Sequence, residues 1–101
     1  MPHARTHAAV LPYVTAYNAA ADPEAMATIA STLGTQNAPT GLWGLNRSLG
    51  ITQTLADLGL QPEDADRVIE DVTSRPYPNP ASVTPVGVRE LLARAMSGAP
   101  P

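Results

Sequence analysis

The chain contains no cysteine, no phenylalanine and no lysine; its six basic residues are Arg5, Arg47, Arg67, Arg75, Arg89 and Arg94. Without thiols, neither a disulfide framework nor a thiolate metal site can form. No apolar run approaches the roughly 20 residues that cross a bilayer. The opening Met1-Pro2-His3-Ala4-Arg5 also lacks the basic-then-apolar layout of a secretory signal. A cytoplasmic protein without membrane contact is the expectation. The net charge is only −3 and the arginines are scattered, whereas nucleic-acid binding draws on a concentrated basic face. No nucleic-acid partner is expected. At 101 residues the chain reads as a single domain over 1–101, burying roughly 60–65% of its extended surface in one core.

What the sequence does contain is helical spacing between proline-marked breaks. Val10, Leu11, Val14 and Tyr17 form one apolar stripe over residues 7–18. Pro12 lies inside that stretch and is tolerated if the helix starts near Ala8, in its first turn. Asp22-Pro23-Glu24 is a strong helix start, with Met26, Ile29, Ala30 and Leu33 as the buried face and Gly34 as the stop. Asn37-Ala38-Pro39-Thr40 opens a third helix carrying Leu42, Trp43, Leu45 and Leu49 and closed by Gly50. Gly41 and Gly44 weaken it by up to about 1 kcal/mol each and leave room for another backbone to come close.

Residues 51–60 read as a short helical turn ending at Gly59. Pro62-Glu63-Asp64 then starts a helix with an acidic first turn, suited to the helix dipole, and a core face of Ala65, Val68, Ile69 and Val72. From Arg75 to Pro80 every residue is a proline or precedes one, which predicts a rigid extended connector. Thr84 and Pro85 begin the last helix, whose inward residues are Val88, Leu91, Leu92 and Met96; Gly98 ends it. No segment alternates with period two for long enough to make a strand. The expected fold is an all-α bundle of five to six helices.

The run Pro2-His3-Ala4-Arg5-Thr6-His7-Ala8-Ala9-Val10-Leu11-Pro12-Tyr13-Val14, continuing to Tyr17-Asn18, resembles a segment of iron-containing alcohol dehydrogenases. With His7 after Thr6 it looks most like the maleylacetate reductases. Leu49-Gly50, Leu55-Ala56-Asp57-Leu58-Gly59, and Asn79-Pro80 with Val83-Thr84 follow in the family's order, so the resemblance extends over most of the chain. It implies the C-terminal helical domain of an oxidoreductase whose active site lies in a cleft against a nucleotide-binding α/β domain. In metal-dependent members an Asp and three His bind the ion, and His3 falls where the last of those histidines does. The other ligands and the glycine-rich phosphate turn lie upstream in the family and outside these 101 residues. The implication is that this chain binds no cofactor alone. NAD(P)H or a metal requires a partner chain that supplies the rest of the site.

The candidate site residues follow from both readings. His3 and His7 are four apart and share a helix face, so they are candidate catalytic acid–base groups, with His3 a candidate metal ligand. No third convincing ligand accompanies them. Arg5 is a candidate partner for a substrate carboxylate, or a solvated terminal arginine. Tyr13, Tyr17 and Trp43 are candidate substrate-lining residues, although aromatics at helical spacing also serve as core. The acidic group Glu63, Asp64, Asp66, Glu70 and Asp71 fits dipole matching and solubility.

Three functions remain open at this point. One is the helical half of a maleylacetate-reductase-like oxidoreductase working with a nucleotide-binding partner subunit. Another is a repurposed stand-alone domain, a homo-oligomer that binds, cyclises or isomerises a small molecule without nicotinamide. The last is a non-catalytic interaction protein or truncated remnant. In each case, loss of a neighbouring domain would expose apolar surface, so partner binding or self-association is expected.

Overall fold

The computed structural model describes residues 3–74 and 79–101, with side chains from Thr6 onward. Among the described residues the chain forms five helices and no strand: α1 (His3–Asn18), α2 (Pro23–Leu33), α3 (Ala38–Ser48), α4 (Asp64–Thr73) and α5 (Pro85–Ser97). The starts of α2, α3 and α5 are set by side-chain caps, whereas α4 begins without one. Asp22 accepts the Ala25 N–H at 3.1 Å, Asn37 that of Thr40 at 2.9 Å, and Thr84 that of Gly87 at 3.1 Å. Each removes one of the unpaired donors at a helix start. Pro23, Pro39 and Pro85 occupy first-turn positions where a missing N–H costs nothing. Gly34 and Gly98 end α2 and α5 in the left-handed conformation, at φ 69° and 75°.

Helix α1 is the centre of the assembly, packed between α3 and α5; α2 lies on α3 and α4 on α5. The core joins Ala9 and Tyr13 of α1, Leu55 of the connecting segment, Ile69 of α4, and Val88, Leu92 and Ala95 of α5. The expected inward residues of the last two helices are buried or half-buried as predicted.

Four sequence expectations need correction. First, α1 starts at His3, so Pro12 sits well inside the helix rather than in its first turn. Second, the apolar stripe of α1 is not its most buried face. Leu11 is 50% exposed, and Ala9, Pro12, Tyr13, Thr15 and Asn18 are buried instead. A helix held between two others buries two faces, and small residues on one of them let α3 come close. Third, α2 has no fully buried residue. It rests mainly on one neighbour, so Met26, Ile29, Ala30 and Leu33 are only half-covered. Leu45 and Leu49 of the α3 segment are likewise exposed, at 40% and 66%.

Fourth, residues 51–60 make no sixth helix. Thr54 and Asp57 instead cap each other, with Thr54 N–H donating to the Asp57 carboxylate at 2.9 Å and Asp57 N–H to Thr54 Oγ1 at 3.0 Å. Leu58 N–H reaches Thr54 C=O and Gly59 N–H reaches Ala56 C=O, but the turn goes no further. Leu60 N–H bonds back to Leu55 C=O at 2.9 Å, and Leu55 N–H docks on Ala95 C=O of α5 at 3.1 Å. The segment is thus pinned to the core through its own main chain.

The α3 glycines also behave differently from each other. A Cβ on Gly41 would meet Thr35 Cγ2 at 2.5 Å, whereas one on Gly44 would meet nothing within 4 Å. Neither glycine admits a neighbouring backbone. Gly44→Ala is therefore expected to stabilise the domain by about 0.5–1 kcal/mol through helix propensity alone, read as a rise in urea midpoint without a change in slope.

Candidate functional site

The predicted site residues all lie on α1 and α3, and the packing just described separates them into two groups. His3, Arg5 and His7 occupy the first two turns of α1. His7 is exposed, while the side chains of His3 and Arg5 lie outside the described residues. Among the described residues no three His, Cys, Asp or Glu side chains gather into a metal-binding group. A metal held at this end of α1 would therefore take its further ligands from outside the described residues.

The aromatic residues form the second group. Tyr13 is 5% exposed and donates its hydroxyl to Ala99 C=O at 2.7 Å. Burial pushes its phenol above the usual tyrosine range, partly offset by a hydrogen bond from Trp43 and the positive charge of Arg47. The Arg47 guanidinium in turn lies over the Trp43 ring, 4.8 Å from its centroid, a cation–π contact. Tyr17 reaches the start of α5: its hydroxyl donates to Ser82 C=O and accepts the Thr84 N–H at 3.3 Å. Beside it, Asn18 and Asn79 exchange reciprocal amide hydrogen bonds of 3.0 and 2.8 Å, and Ala81 N–H adds a third to Asn18 at 3.1 Å. These bonds fasten the end of α1 to the segment leading into α5. Every polar atom of the buried network is matched, since no buried side-chain polar atom among the described residues lacks a partner.

Tyr13 and Tyr17 line one cleft between α1 and α5, about 270 Å³ in volume, opposite Glu90 and Arg94. Trp43 does not join them there. It shares with Tyr13 a gap of about 30 Å³ on the α3 side, room for no more than a water or so. His7 lines neither hollow. A third hollow, almost wholly apolar and about 340 Å³, runs along α1 from Thr6 past Val10 and Val14 to Tyr17, with Val72 and Leu91 opposite. Thr6 places its upper end at the same turns that carry His3 and His7.

Close approach of Tyr17 to α5 explains one glycine. A Cβ on Gly87 would stand 2.5 Å from Tyr17 Cε2 and 2.7 Å from its hydroxyl. Gly87→Ala gains at most about 1 kcal/mol of helix propensity but displaces a ring anchored at two points. Losing those bonds costs about 1–3 kcal/mol, so a net destabilisation of up to about 2 kcal/mol is expected. Urea unfolding of Gly87→Ala beside Gly44→Ala checks the sign, which should be opposite at the two positions.

Residues 1–96 match the family model described as Fe-containing alcohol dehydrogenase family, C-terminal. The chain belongs to that family. Its relatives include maleylacetate reductase 1 of Rhodococcus opacus, 43% identical over 97% of this chain and 28% of that protein. The maleylacetate reductase of Sphingobium indicum is 43% identical over all of this chain and 29% of its own length. Among solved structures, the maleylacetate reductase of Rhizobium sp. strain MTP-10005 superposes with a TM-score of 0.93 at 42% identity, covering 100% of this chain and 29% of that one. An iron-containing alcohol dehydrogenase of Corynebacterium glutamicum superposes at 0.84 with 37% identity, over 95% of this chain and 27% of its own. The chain thus spans under a third of the length of the family relatives it matches. The resemblance drawn from the N-terminal run and the later motifs holds, as does the all-helical fold. No helix among the described residues is long and apolar enough to cross a membrane.

Sequence reasoning missed Asn18, Asn46 and Asn79. One signal was available: a proline inside a helix leaves the carbonyl four residues earlier without its main-chain donor, so a side-chain amide nearby is to be sought.

Proposed function

We propose that this chain is the helical half of a maleylacetate-reductase-type oxidoreductase, acting in the cytoplasm and forming one side of an active-site cleft. A nucleotide-binding domain forms the other side, on the same or a separate polypeptide, and brings the NAD(P)H site. The single observation that carries the reading is the superposition on a maleylacetate reductase over the whole chain, at 42% identity and a TM-score of 0.93. In this reading the first two turns of α1 face the cleft. His3 and His7 serve acid–base chemistry there, with His3 a metal ligand if the partner supplies the others, and Arg5 binds a substrate carboxylate. Tyr13, Tyr17 and Trp43 support that wall from beneath, and the 270 Å³ cleft beside Tyr13 and Tyr17 gives the two tyrosines a secondary role in lining bound substrate.

Native mass spectrometry of the protein taken from its own host tests this reading. The expected assembly contains a nucleotide-binding domain together with this one. A homo-oligomer lacking such a domain would favour the repurposed small-molecule-binding domain instead, and would count against the proposal.

A further inference from the structure

The interior of α1 carries a break and a repair. Pro12, less than 2% exposed, has no N–H, so the carbonyl of Ala8 loses its main-chain partner at the middle of a 16-residue helix. An interior proline both removes that bond and crowds the carbonyl, which weakens the helix when nothing compensates. Here Asn46 of α3 compensates: its side-chain Nδ2 donates to Ala8 C=O at 2.6 Å. Asn46 and Ala8 are both half-buried where α3 packs on α1. In the turn that spans the proline, Thr15 Oγ1 donates to Leu11 C=O at 2.7 Å, so a second carbonyl ahead of Pro12 also accepts from a side chain.

The consequence concerns the half of α1 that precedes Pro12. That half carries His3, Arg5 and His7, and helices bend at prolines. We infer that Asn46 is a positioning residue: by replacing the main-chain bond that Pro12 removes, it ties the first half of α1 to α3 and fixes the direction in which the histidine-bearing turns project. Its importance for a reaction rests on the proposed function above; the tether itself does not. A helix without Pro12 would need no such amide, because residue 12 would supply the donor. The two residues are therefore coupled, and a role for Asn46 in packing alone would not couple them.

Amide hydrogen exchange followed by NMR on the whole chain tests this, in wild type, Asn46→Ala, Pro12→Ala and the double variant. Loss of the amide leaves Ala8 C=O without a partner, and Asn46→Ala is expected to accelerate exchange at the amides of residues 7–11 about tenfold. The amides of Leu92 and Ala95 in α5 should change less than about threefold. Asn46→Asp, of the same shape but without the donor, should accelerate residues 7–11 at least as much. In the Pro12→Ala background the same loss of Asn46 should change them less than about threefold. Equal acceleration in both backgrounds, or acceleration spread evenly over α1 and α5, would overturn the positioning role. Exchange decides the tether on this chain alone. Reductase activity with a nucleotide-binding partner decides the proposed function, so each can fail without the other. Where activity is present, Asn46→Ala should lower kcat about tenfold while leaving the KM for the nicotinamide within twofold, and Pro12→Ala should restore it. A fall in kcat that Pro12→Ala fails to restore would again overturn the assignment.

Discussion

Leu92→Ala is expected to cost about 2–5 kcal/mol, the range for deleting a large aliphatic side chain from a packed core. Leu92 is 7% exposed and belongs to the cluster with Tyr13, Leu55, Ile69 and Val88. Its loss affects several elements at once, because α5 packs on both α1 and α4 and also receives the main chain of Leu55 at Ala95. A domain of this size has about 5–15 kcal/mol in total, so one such deletion removes a large share of it. Ile69→Ala, at 6% exposure, should behave similarly. Leu49→Ala is the internal control: at 66% exposure it should stay within about 0.5 kcal/mol. Urea unfolding with an unchanged slope measures all three. A near-zero effect at Leu92 would mean that the inward face of α5 is wrongly assigned.

The comparison of α5 with α1 shows what could be read in the sequence and what could not. The boundaries of α2, α3 and α5 depend on local chemistry. Asp22, Asn37 and Thr84 each cap the N–H three residues ahead, so neighbours in the chain suffice to predict them. The inward faces of α4 and α5 were also legible, because their apolar residues repeat with the helix and are the ones that are covered. Helix α1 defeats that logic. It is covered on two sides, and its most buried residues include Ala9, Pro12, Thr15 and Asn18, which carry little hydrophobic signal.

The site was legible in the same uneven way. The run from Pro2 to Val14 pointed to the family, and the family match over residues 1–96 agrees. That Tyr13 would turn toward Ala99 and Tyr17 toward Ser82 and Thr84 could not be inferred. These bonds span from 65 to 86 residues of sequence, and no local rule specifies them. The Asn18–Asn79 pair, 61 residues apart, is hidden for the same reason. Asn46 was concealed by an expectation about Pro12. A helix beginning near Ala8 puts the proline in the first turn, where no carbonyl needs a donor, and the sequence alone left that start open. Starting α1 at His3 changes that arithmetic.

The second large effect concerns activity. Replacing both His3 and His7 by Ala is expected to leave stability within about 0.5 kcal/mol, as substitutions outside a packed core do, while lowering reductase activity by at least about a hundredfold, the lower end of what positioned acid–base catalysis contributes. Loss of activity together with loss of folding would assign the histidines a structural role instead. Arg5→Ala offers a separable result, because a group that binds a substrate carboxylate should raise KM for that substrate more than it lowers kcat.

The most direct measurement is NADH oxidation with maleylacetate after mixing this chain with the nucleotide-binding portion of the Rhizobium maleylacetate reductase, produced as a separate polypeptide. The account predicts that neither piece oxidises NADH alone, that the mixture does, and that the His3→Ala, His7→Ala double variant does not. A mixture of two folded pieces that stays inactive, or activity that survives the loss of both histidines, would contradict it.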